Sequence, residues 1–200
     1  MVSVIIPYNI DRGYLKEAID SVKNQIYGDW ELITDKGVGC SLGQNVNNAL
    51  LGARGKYVKI LAEDDLLSPS SLSILVKGIK GYDWVYSNAE NFGARGWEEY
   101  SDDKTTTLQE MLKGNKIHGG TTLYRKSMLI EVGGYDATLR TGEEYDLHLK
   151  LLKAGYRHAH IPGIVYRYRI HQGNKSATTE SFERITRHEY IKQIRQRYES

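Results

Sequence analysis

The chain has 200 residues, of which 40% are hydrophobic, and this is enough to bury one core and favours a single domain. Its 27 lysines and arginines against 25 acidic residues give a net charge of +2, which excludes a protein whose whole surface is built to hold nucleic acid. The single cysteine, Cys40, excludes an intramolecular disulfide and a cysteine-based zinc site, and it fits a reducing compartment. No basic leader opens the chain, and no apolar run reaches the roughly 18 residues of a membrane span. We therefore expect a cytoplasmic protein without a transmembrane segment, which other parts or partners could hold at the cytosolic face of a membrane.

The first 87 residues alternate between short β-branched runs and stretches with apolar residues at helical spacing. The predicted strands cover residues 2–7, 30–34, 56–62 and 83–87. The predicted helices lie between them, at residues 15–26, 42–53 and 69–79. This alternation predicts crossover connections and a largely parallel sheet, in which ligands bind beyond the carboxyl ends of the strands.

The second half of the chain is less regular. Residues 88–104 are polar, and we interpret them and their acids as a solvated loop or hairpin. Further helices are predicted over residues 107–113, 125–132, 141–155 and 179–198, with strands just before residue 125 and over residues 157–168. The final helix carries Ile191, Ile194 and Tyr198 on one side, which predicts that this side packs against the core or a partner.

Three consecutive acids, Glu63, Asp64 and Asp65, end the third predicted strand. Like charges this close repel, so a fold that points two of them the same way usually has a cation there. The alternative is a solvated turn that caps the next helix. Asp35 follows the second strand, so it is expected at the same edge of the sheet.

Basic residues without any acid fill the stretch from 151 to 175; they are Lys153, Arg157, Arg167, Arg169 and Lys175. A strand through residues 166–171 would put both of its arginines on one face and both of its tyrosines on the other. This face could hold an anion, or it could simply add solubilising charge. Combined with the acidic triplet, it suits a divalent cation beside a diphosphate, and His171 could complete such a metal site.

Glu143 and Glu144 open a predicted helix, and two interpretations remain. Thr141 and Glu144 fit a capping box, with Thr141 as the N-cap. Alternatively, a carboxylate at the mouth of the sheet edge could accept a proton from a hydroxyl, and the helix dipole would help to keep it ionised. His118, beside two glycines, is a further pocket candidate.

Several segments in a fixed order carry a resemblance to a known family. They are VSVIIPYN at residues 2–9, LKEAIDSVKNQ at 15–25, residues 45–69, VGGYD at 132–136, residues 142–155 and residues 166–171. Together they resemble the family 2 glycosyltransferases, which have the GT-A fold. The resemblance implies an α/β fold: a single GT-A domain with a Rossmann-like, mostly parallel twisted sheet flanked by helices and a small antiparallel element in the C-terminal half.

The same resemblance divides the domain and assigns its site. Residues 1–87 would form the nucleotide-binding half, residues 88–178 the acceptor and catalytic half, and residues 179–200 a C-terminal helix, in a domain that could be one module of a longer chain. A Mn²⁺ or Mg²⁺ ion would bind Asp65, Asp64 and His171, with Asp65 as the main ligand. Glu144 would be the catalytic base, with Glu143 as the alternative. The remaining nucleotide contacts would come from Pro7, Tyr8, Asn9, Asp35, Arg54, Asp64, Arg167 and Arg169.

The implied activity is metal-dependent, inverting transfer of a sugar from a nucleoside diphosphate sugar, a UDP-sugar above all, to a glycan or glycoconjugate hydroxyl. The chain departs from the family pattern, because no Thr separates Pro7 from Tyr8 and Ala62 stands where the first acid of the DXD motif is common. These departures leave open a nucleotide- or glycan-binding module with a degraded active site. A sugar-nucleotide pyrophosphorylase is a further alternative, although no glycine-rich, arginine-containing loop follows the first strand.

Overall fold

One sheet of eight strands organises the fold. The structure, a computed structural model, describes residues 1–94, 98–100 (backbone only), 105–172, 174 and 186–199. The strands are β1 (Val2–Tyr8), β2 (Trp30–Lys36), β3 (Tyr57–Ile60), β4 (Leu66–Leu67), β5 (Trp84–Gly93), β6 (Glu98–Tyr100), β7 (Leu123–Arg125) and β8 (His158–Ile170). The helices are α1 (Leu15–Lys23), α2 (Leu42–Gly52), α3 (Ser71–Gly78), α4 (Leu108–Lys113), α5 (Lys126–Glu131), α6 (Glu143–Lys153) and α7 (Arg187–Gln196).

The sheet combines parallel and antiparallel pairs in the order β2-β1-β3-β7-β5-β8-β4, with β6 beside β5. Strand β1 is parallel to β2 and β3, as the crossover pattern predicts, and β5 is parallel to β8. Strand β7 enters between β3 and β5 in the opposite direction, and β4 and β6 are also antiparallel to their neighbours. The α/β fold with antiparallel strands is therefore confirmed. The sheet contains more antiparallel pairs than the predicted, mostly parallel sheet would have.

Alternate residues of the central strands feed two hydrophobic cores, one on each face of the sheet. In β1, Ile5 belongs to one core, whereas Val4 and Ile6 belong to the other. Helices α2, α4, α5, α6 and α7 cover the Ile5 face, and α1 and α3 cover the opposite face. Because both faces are covered, the edge at the carboxyl ends of β1, β2 and β3 is left for a ligand.

The start of α6 differs from the prediction of a capping box. The N-cap is Gly142, with φ of 78°, and no side chain caps the helix. Thr141 instead accepts a hydrogen bond from Arg187 Nε at 3.3 Å. The capping-box prediction is wrong because the left-handed glycine sets the helix one residue later than the sequence pattern indicates.

The hairpin and the final helix agree with the sequence predictions within the described residues. Strand β5 runs on to Gly93 and pairs with β6, so the polar stretch contains a hairpin, while Asp102, Asp103 and the side chains of Glu98 and Glu99 lie outside the described residues. Helix α7 buries Ile194, and Ile191 and Tyr198 pack beside it. The earlier part of the predicted helix lies outside the described residues, and so does Lys175, which precedes that helix in the sequence. Within those residues, none of the helices has the length and apolar character that crossing a membrane requires.

Candidate active site

The ends of β1 and β2 bring four of the predicted nucleotide contacts together. Pro7 and Asp35 are register partners, and Tyr8 O accepts a hydrogen bond from Gly37 N at 2.9 Å. Asn9 Nδ2 donates to Cys40 O at 3.3 Å, which ties the turn after β1 to the loop after β2. The four residues Pro7, Tyr8, Asn9 and Asp35 therefore lie together at the carboxyl edge of the sheet; we call this edge, with the acidic residues after β3, the cleft.

The fully buried side chain of Asn45 holds these two turns in place. Its Nδ2 donates to Asp35 O at 3.1 Å and lies 3.4 Å from Tyr8 O. Gly37 passes so close to Asn45 that a Cβ at Gly37 would overlap its side chain. The edge of the cleft is thus set by buried amide contacts and a close backbone approach.

Asp64 and His171 lie side by side, although 107 residues separate them in sequence. Asp64 Oδ2 lies 3.0 Å from His171 Nε2, and both side chains are largely buried. Asn174 orients the histidine, because its Oδ1 accepts from His171 N at 2.6 Å and its Nδ2 donates to Arg169 O at 2.9 Å. The packing of the His171 ring on Tyr14, with centroids 5.2 Å apart, restricts it further.

Asp65 faces the interior, so its predicted role as the main metal ligand is corrected. Its side chain accepts from Tyr166 Oη at 2.7 Å and from Arg169 N at 2.7 Å, and only 2% of the residue is exposed. Burial, together with the neighbouring Asp64 charge, raises the pKa of Asp65 well above its ordinary value. Both carboxylate oxygens of Asp65 thus accept hydrogen bonds that join the acidic turn, residues 63–65, to β8.

The basic residues of β8 are paired with acids from other elements. Arg169 donates to Asp64 O and to the Glu17 carboxylate, each at 2.8 Å, and its guanidinium lies over the rings of Tyr14 and Phe92. Arg167 forms an ion pair with Glu90, with 2.6 Å between Nε and Oε1. The two arginines of β8 therefore have acidic partners from other parts of the chain, and Arg169 is the one of the two that contacts the acidic turn.

Arg54 lies at the other end of the sheet, so its predicted nucleotide contact is corrected. Its Nε donates to Glu31 Oε2 at 2.8 Å, and Glu31 pairs in register with Ser3 near the start of β1. The length of β1 puts the starts of these strands about 16 Å from the cleft.

Glu144 is the more accessible of the two candidate bases. Glu143 is buried, with 5% of the residue exposed, whereas Glu144 is half-buried. The Glu144 carboxylate lies against the backbone of Gly119, where a Cβ would overlap it. Both acids stand in the first turn of α6, where the helix dipole favours a negative charge.

A buried lysine that sequence reasoning missed connects the two sides of the cleft. Lys59 Nζ donates to Gly120 O and to Ile60 O, the latter at 3.2 Å, and lies 5.1 Å from the centroid of the Tyr166 ring. Burial lowers the pKa of Lys59 to about 7, although the Glu144 and Asp65 carboxylates favour its charged form. A lysine between Val58 and Ile60 in an otherwise apolar strand is the sequence signal that could have identified it.

His118 lies beside Lys59 and Tyr166 as a neutral imidazole. Its ring packs on Tyr166 and Tyr168, with centroids 5.1 Å away in each case. Its Nδ1 accepts from Gly120 N at 3.1 Å, so the ring proton is on Nε2. Burial and the nearby Lys59 lower the pKa of His118 to about 4.

Asp64 and His171 fit one divalent cation as two neighbouring ligands. Two ligand atoms of an octahedral Mg²⁺ or Mn²⁺ site lie about 3 Å apart, which matches the separation of Asp64 Oδ2 and His171 Nε2. In the part of the chain that the structure describes, no group of three or more histidine, cysteine or acidic side chains converges on such a site. The other coordination positions would therefore be available to water and to the oxygens of a bound phosphate.

Comparisons with known proteins agree with this fold. No family model matches the chain. An uncharacterized glycosyltransferase of Rickettsia typhi is 25% identical over 76% of this chain and 59% of its own length. The O-antigen biosynthesis protein RfbC of Myxococcus xanthus is 22% identical over 84% of this chain and 16% of its own length. The crystal structure of S. aureus TarS residues 1–349 in complex with UDP-GlcNAc has a TM-score of 0.73 at 16% identity, over 90% of this chain and 62% of that one.

The chain is thus similar in sequence to proteins named as glycosyltransferases, and it shares the fold of the TarS structure. The chain spans less than two thirds of the length of each of the three proteins just described. Of the predicted site residues, the structure places Asp64 against His171, and it places Pro7, Tyr8, Asn9 and Asp35 together at the ends of β1 and β2. Asp65 and Arg54 stand apart from that group.

Proposed function

We propose that this domain transfers a sugar from a UDP-sugar to a glycan hydroxyl with inversion, in a metal-dependent reaction. The observation that carries the proposal is the Asp64 and His171 pair, 3.0 Å apart at the carboxyl edge of the sheet. The relatives support it, since TarS is described in complex with UDP-GlcNAc and RfbC as an O-antigen biosynthesis protein.

In this proposal Asp64 and His171 hold Mn²⁺ or Mg²⁺, and Arg169 stands beside them. A bound divalent cation would neutralise charge on the diphosphate of the leaving UDP. Asp64 O and Glu17 fix the Arg169 guanidinium at 2.8 Å each, so the side chain is already oriented before a ligand arrives. Such preorganised charge is most effective where negative charge develops during the reaction.

Glu144 is the proposed general base. Its carboxylate accepts the proton of the acceptor hydroxyl while that oxygen bonds to the anomeric carbon of the donor. On the opposite side, the bond from this carbon to the phosphate oxygen breaks and UDP leaves. One displacement of this kind inverts the anomeric configuration. Glu143 is the weaker candidate because it is buried beside the more accessible Glu144.

The substitution Glu144→Gln tests this role. We expect transfer to fall about 10²- to 10⁴-fold, because the amide cannot accept the proton, while UDP affinity changes less than about twofold. UDP release reports transfer, and calorimetric titration with UDP and Mn²⁺ reports binding. The matched control is Glu143→Gln, which should keep most of the transfer activity. A fully active Glu144→Gln enzyme would exclude Glu144 as the base.

A thermal-shift panel of UDP, UDP-GlcNAc and other UDP-sugars, each with and without Mn²⁺, identifies the donor. Ligands that bind only the folded state raise the melting temperature, and the stabilisation grows with the logarithm of the ligand concentration divided by its Kd. Stabilisation without UDP release, with any acceptor tried, would indicate a binding module instead of an enzyme. Release of pyrophosphate from a nucleoside triphosphate would indicate a pyrophosphorylase.

A further inference from the structure

Helix α7 packs directly on the turn that carries the two candidate bases. At the N-cap of α6, the Cδ1 atoms of Ile191 and Ile194 occupy the space where a Cβ of Gly142 would lie. Ile194 is 1% exposed, so this contact belongs to the core. One residue earlier, Thr141 Oγ1 accepts from Arg187 Nε at 3.3 Å.

The end of α7 and the two residues after it hold the same turn from a second direction. Tyr198 Oη donates to Asp146 Oδ1 at 2.8 Å, and Arg197 Nη1 lies 3.5 Å from the same oxygen. Arg197 also forms an ion pair with Asp136 at 2.9 Å. Asp146 is 1% exposed, and its backbone N–H donates to Gly142 O at 2.9 Å, which closes the first turn of α6. The anchoring oxygen therefore stands two residues after Glu144, in the same helical turn.

We propose that α7 positions Glu144 for proton transfer, with Tyr198 and Asp146 as positioning residues. This inference rests on the proposed function, because Glu144 must be the base for its position to matter. The chain around Gly142 has no side-chain cap of its own, so contacts from α7 replace the restraint that an N-cap side chain would supply. Small displacements of a general base lower the rate strongly, because the base must be within hydrogen-bond reach of the hydroxyl.

The test compares Tyr198→Phe with Tyr190→Phe in the full chain. Both variants lose one hydroxyl from α7 or its end, but the Tyr190 hydroxyl contacts Arg140 N at 3.4 Å and not α6. We expect Tyr198→Phe to lower kcat about 5- to 20-fold, with the KM for the UDP-sugar and the Kd for UDP within about twofold of the parent values. Hydrogen–deuterium exchange in the peptide that covers the first turn of α6 should rise severalfold, and Tyr190→Phe should change neither quantity.

A conservative variant separates positioning from general stability. Asp146→Asn keeps an acceptor for Tyr198 Oη and should retain kcat within about threefold, whereas Asp146→Leu should behave like Tyr198→Phe. The proposal is overturned if Tyr198→Phe leaves kcat and the local exchange unchanged, or if Tyr190→Phe lowers kcat equally. If Glu144→Gln is fully active, Glu144 is not the base and the kinetic part of this inference fails with that assignment, whereas the exchange data still decide whether α7 holds this turn.

Discussion

At the scale of single residues, the two neighbouring aspartates of the acidic turn have different surroundings. Asp64 faces the cleft and His171, whereas Asp65 binds Tyr166 and the backbone of Arg169 inside the protein. Sequence alone could not separate the two, because adjacent acids in a turn have no fixed orientation. The separation follows from the position of β8, which reaches the turn from the far end of the chain.

This division predicts opposite results for two substitutions. Asp64→Ala should remove the Mn²⁺-dependent part of UDP binding, at least about tenfold in Kd, because one of the two proposed metal ligands is lost. Asp65→Asn should retain that binding, since an amide oxygen can still accept from Tyr166 or from Arg169 N. Calorimetric titration with UDP, with and without Mn²⁺, measures both. If Asp65→Asn removes the metal effect and Asp64→Ala keeps it, the assignment is reversed.

At the scale of elements, the turn Gly119–Thr121 joins the two sides of the cleft. The Gly120 carbonyl accepts from the buried Lys59, and the Gly119 backbone supports the Glu144 carboxylate. Neither glycine leaves room for a side chain, since a Cβ at Gly120 would overlap the Tyr166 ring. Both positions therefore require glycine because the backbone packs closely on the Glu144 and Tyr166 side chains, and not because of an unusual dihedral angle.

Gly119→Ala should therefore lower transfer more than it lowers stability. The new methyl group would displace the end of the flexible Glu144 side chain, and this displacement costs little folding free energy, roughly 1 kcal/mol or less. Transfer should fall at least about tenfold through the misplaced carboxylate. Gly114→Ala is the control, because no atom lies within 4 Å of a Cβ at that position. Equal kcat values for the two variants would contradict the contact between Gly119 and Glu144.

Element types could be predicted from sequence because apolar periodicity reflects which face of each segment is buried. The direction of β7 could not be predicted from sequence, since a strand of three residues has the same apolar pattern whether it runs parallel or antiparallel to its neighbours. The same limit applies to Arg167 and Arg169, whose partners Glu90 and Glu17 lie 77 and 152 residues away. A stretch that lacks acids in sequence thus gave a wrong expectation of free positive charge.

At the scale of the whole molecule, the two ends of the sheet have separate tasks. Glu31, at the end opposite the cleft, accepts hydrogen bonds from the Ser3 hydroxyl and the Arg54 backbone at 2.6 Å each, and from Arg54 Nε at 2.8 Å. Burial alone would raise the pKa of Glu31, but these hydrogen bonds and the Arg54 charge lower it to about 2. This cluster joins β1, β2 and the start of β3, and it therefore contributes to stability instead of ligand binding.

Glu31→Gln should lower the free energy of unfolding by roughly 1–3 kcal/mol at pH 7. Because the folded pKa lies below the ordinary value of 4.5, the stabilisation is complete above about pH 4.5 and is lost as the pH falls towards 2. Urea unfolding of both proteins between pH 3 and pH 7 measures this, and the difference should shrink at the acidic end. Arg54→Ala should also lower stability yet leave UDP affinity unchanged; weaker UDP binding would restore Arg54 to the site.

The long reach of β8 also has a consequence for biosynthesis. Asp64 leaves the ribosome 107 residues before His171, which at about 5–20 residues per second corresponds to a delay of roughly 5–20 s. During that interval the nascent chain contains the turns after β1 and β2 but not the histidine, Tyr166 or Arg169. If a cation on Asp64 and His171 holds the nucleotide, as the proposed function requires, binding must wait until the last strand has joined the sheet, so nucleotide binding is expected late in the maturation of each newly made molecule.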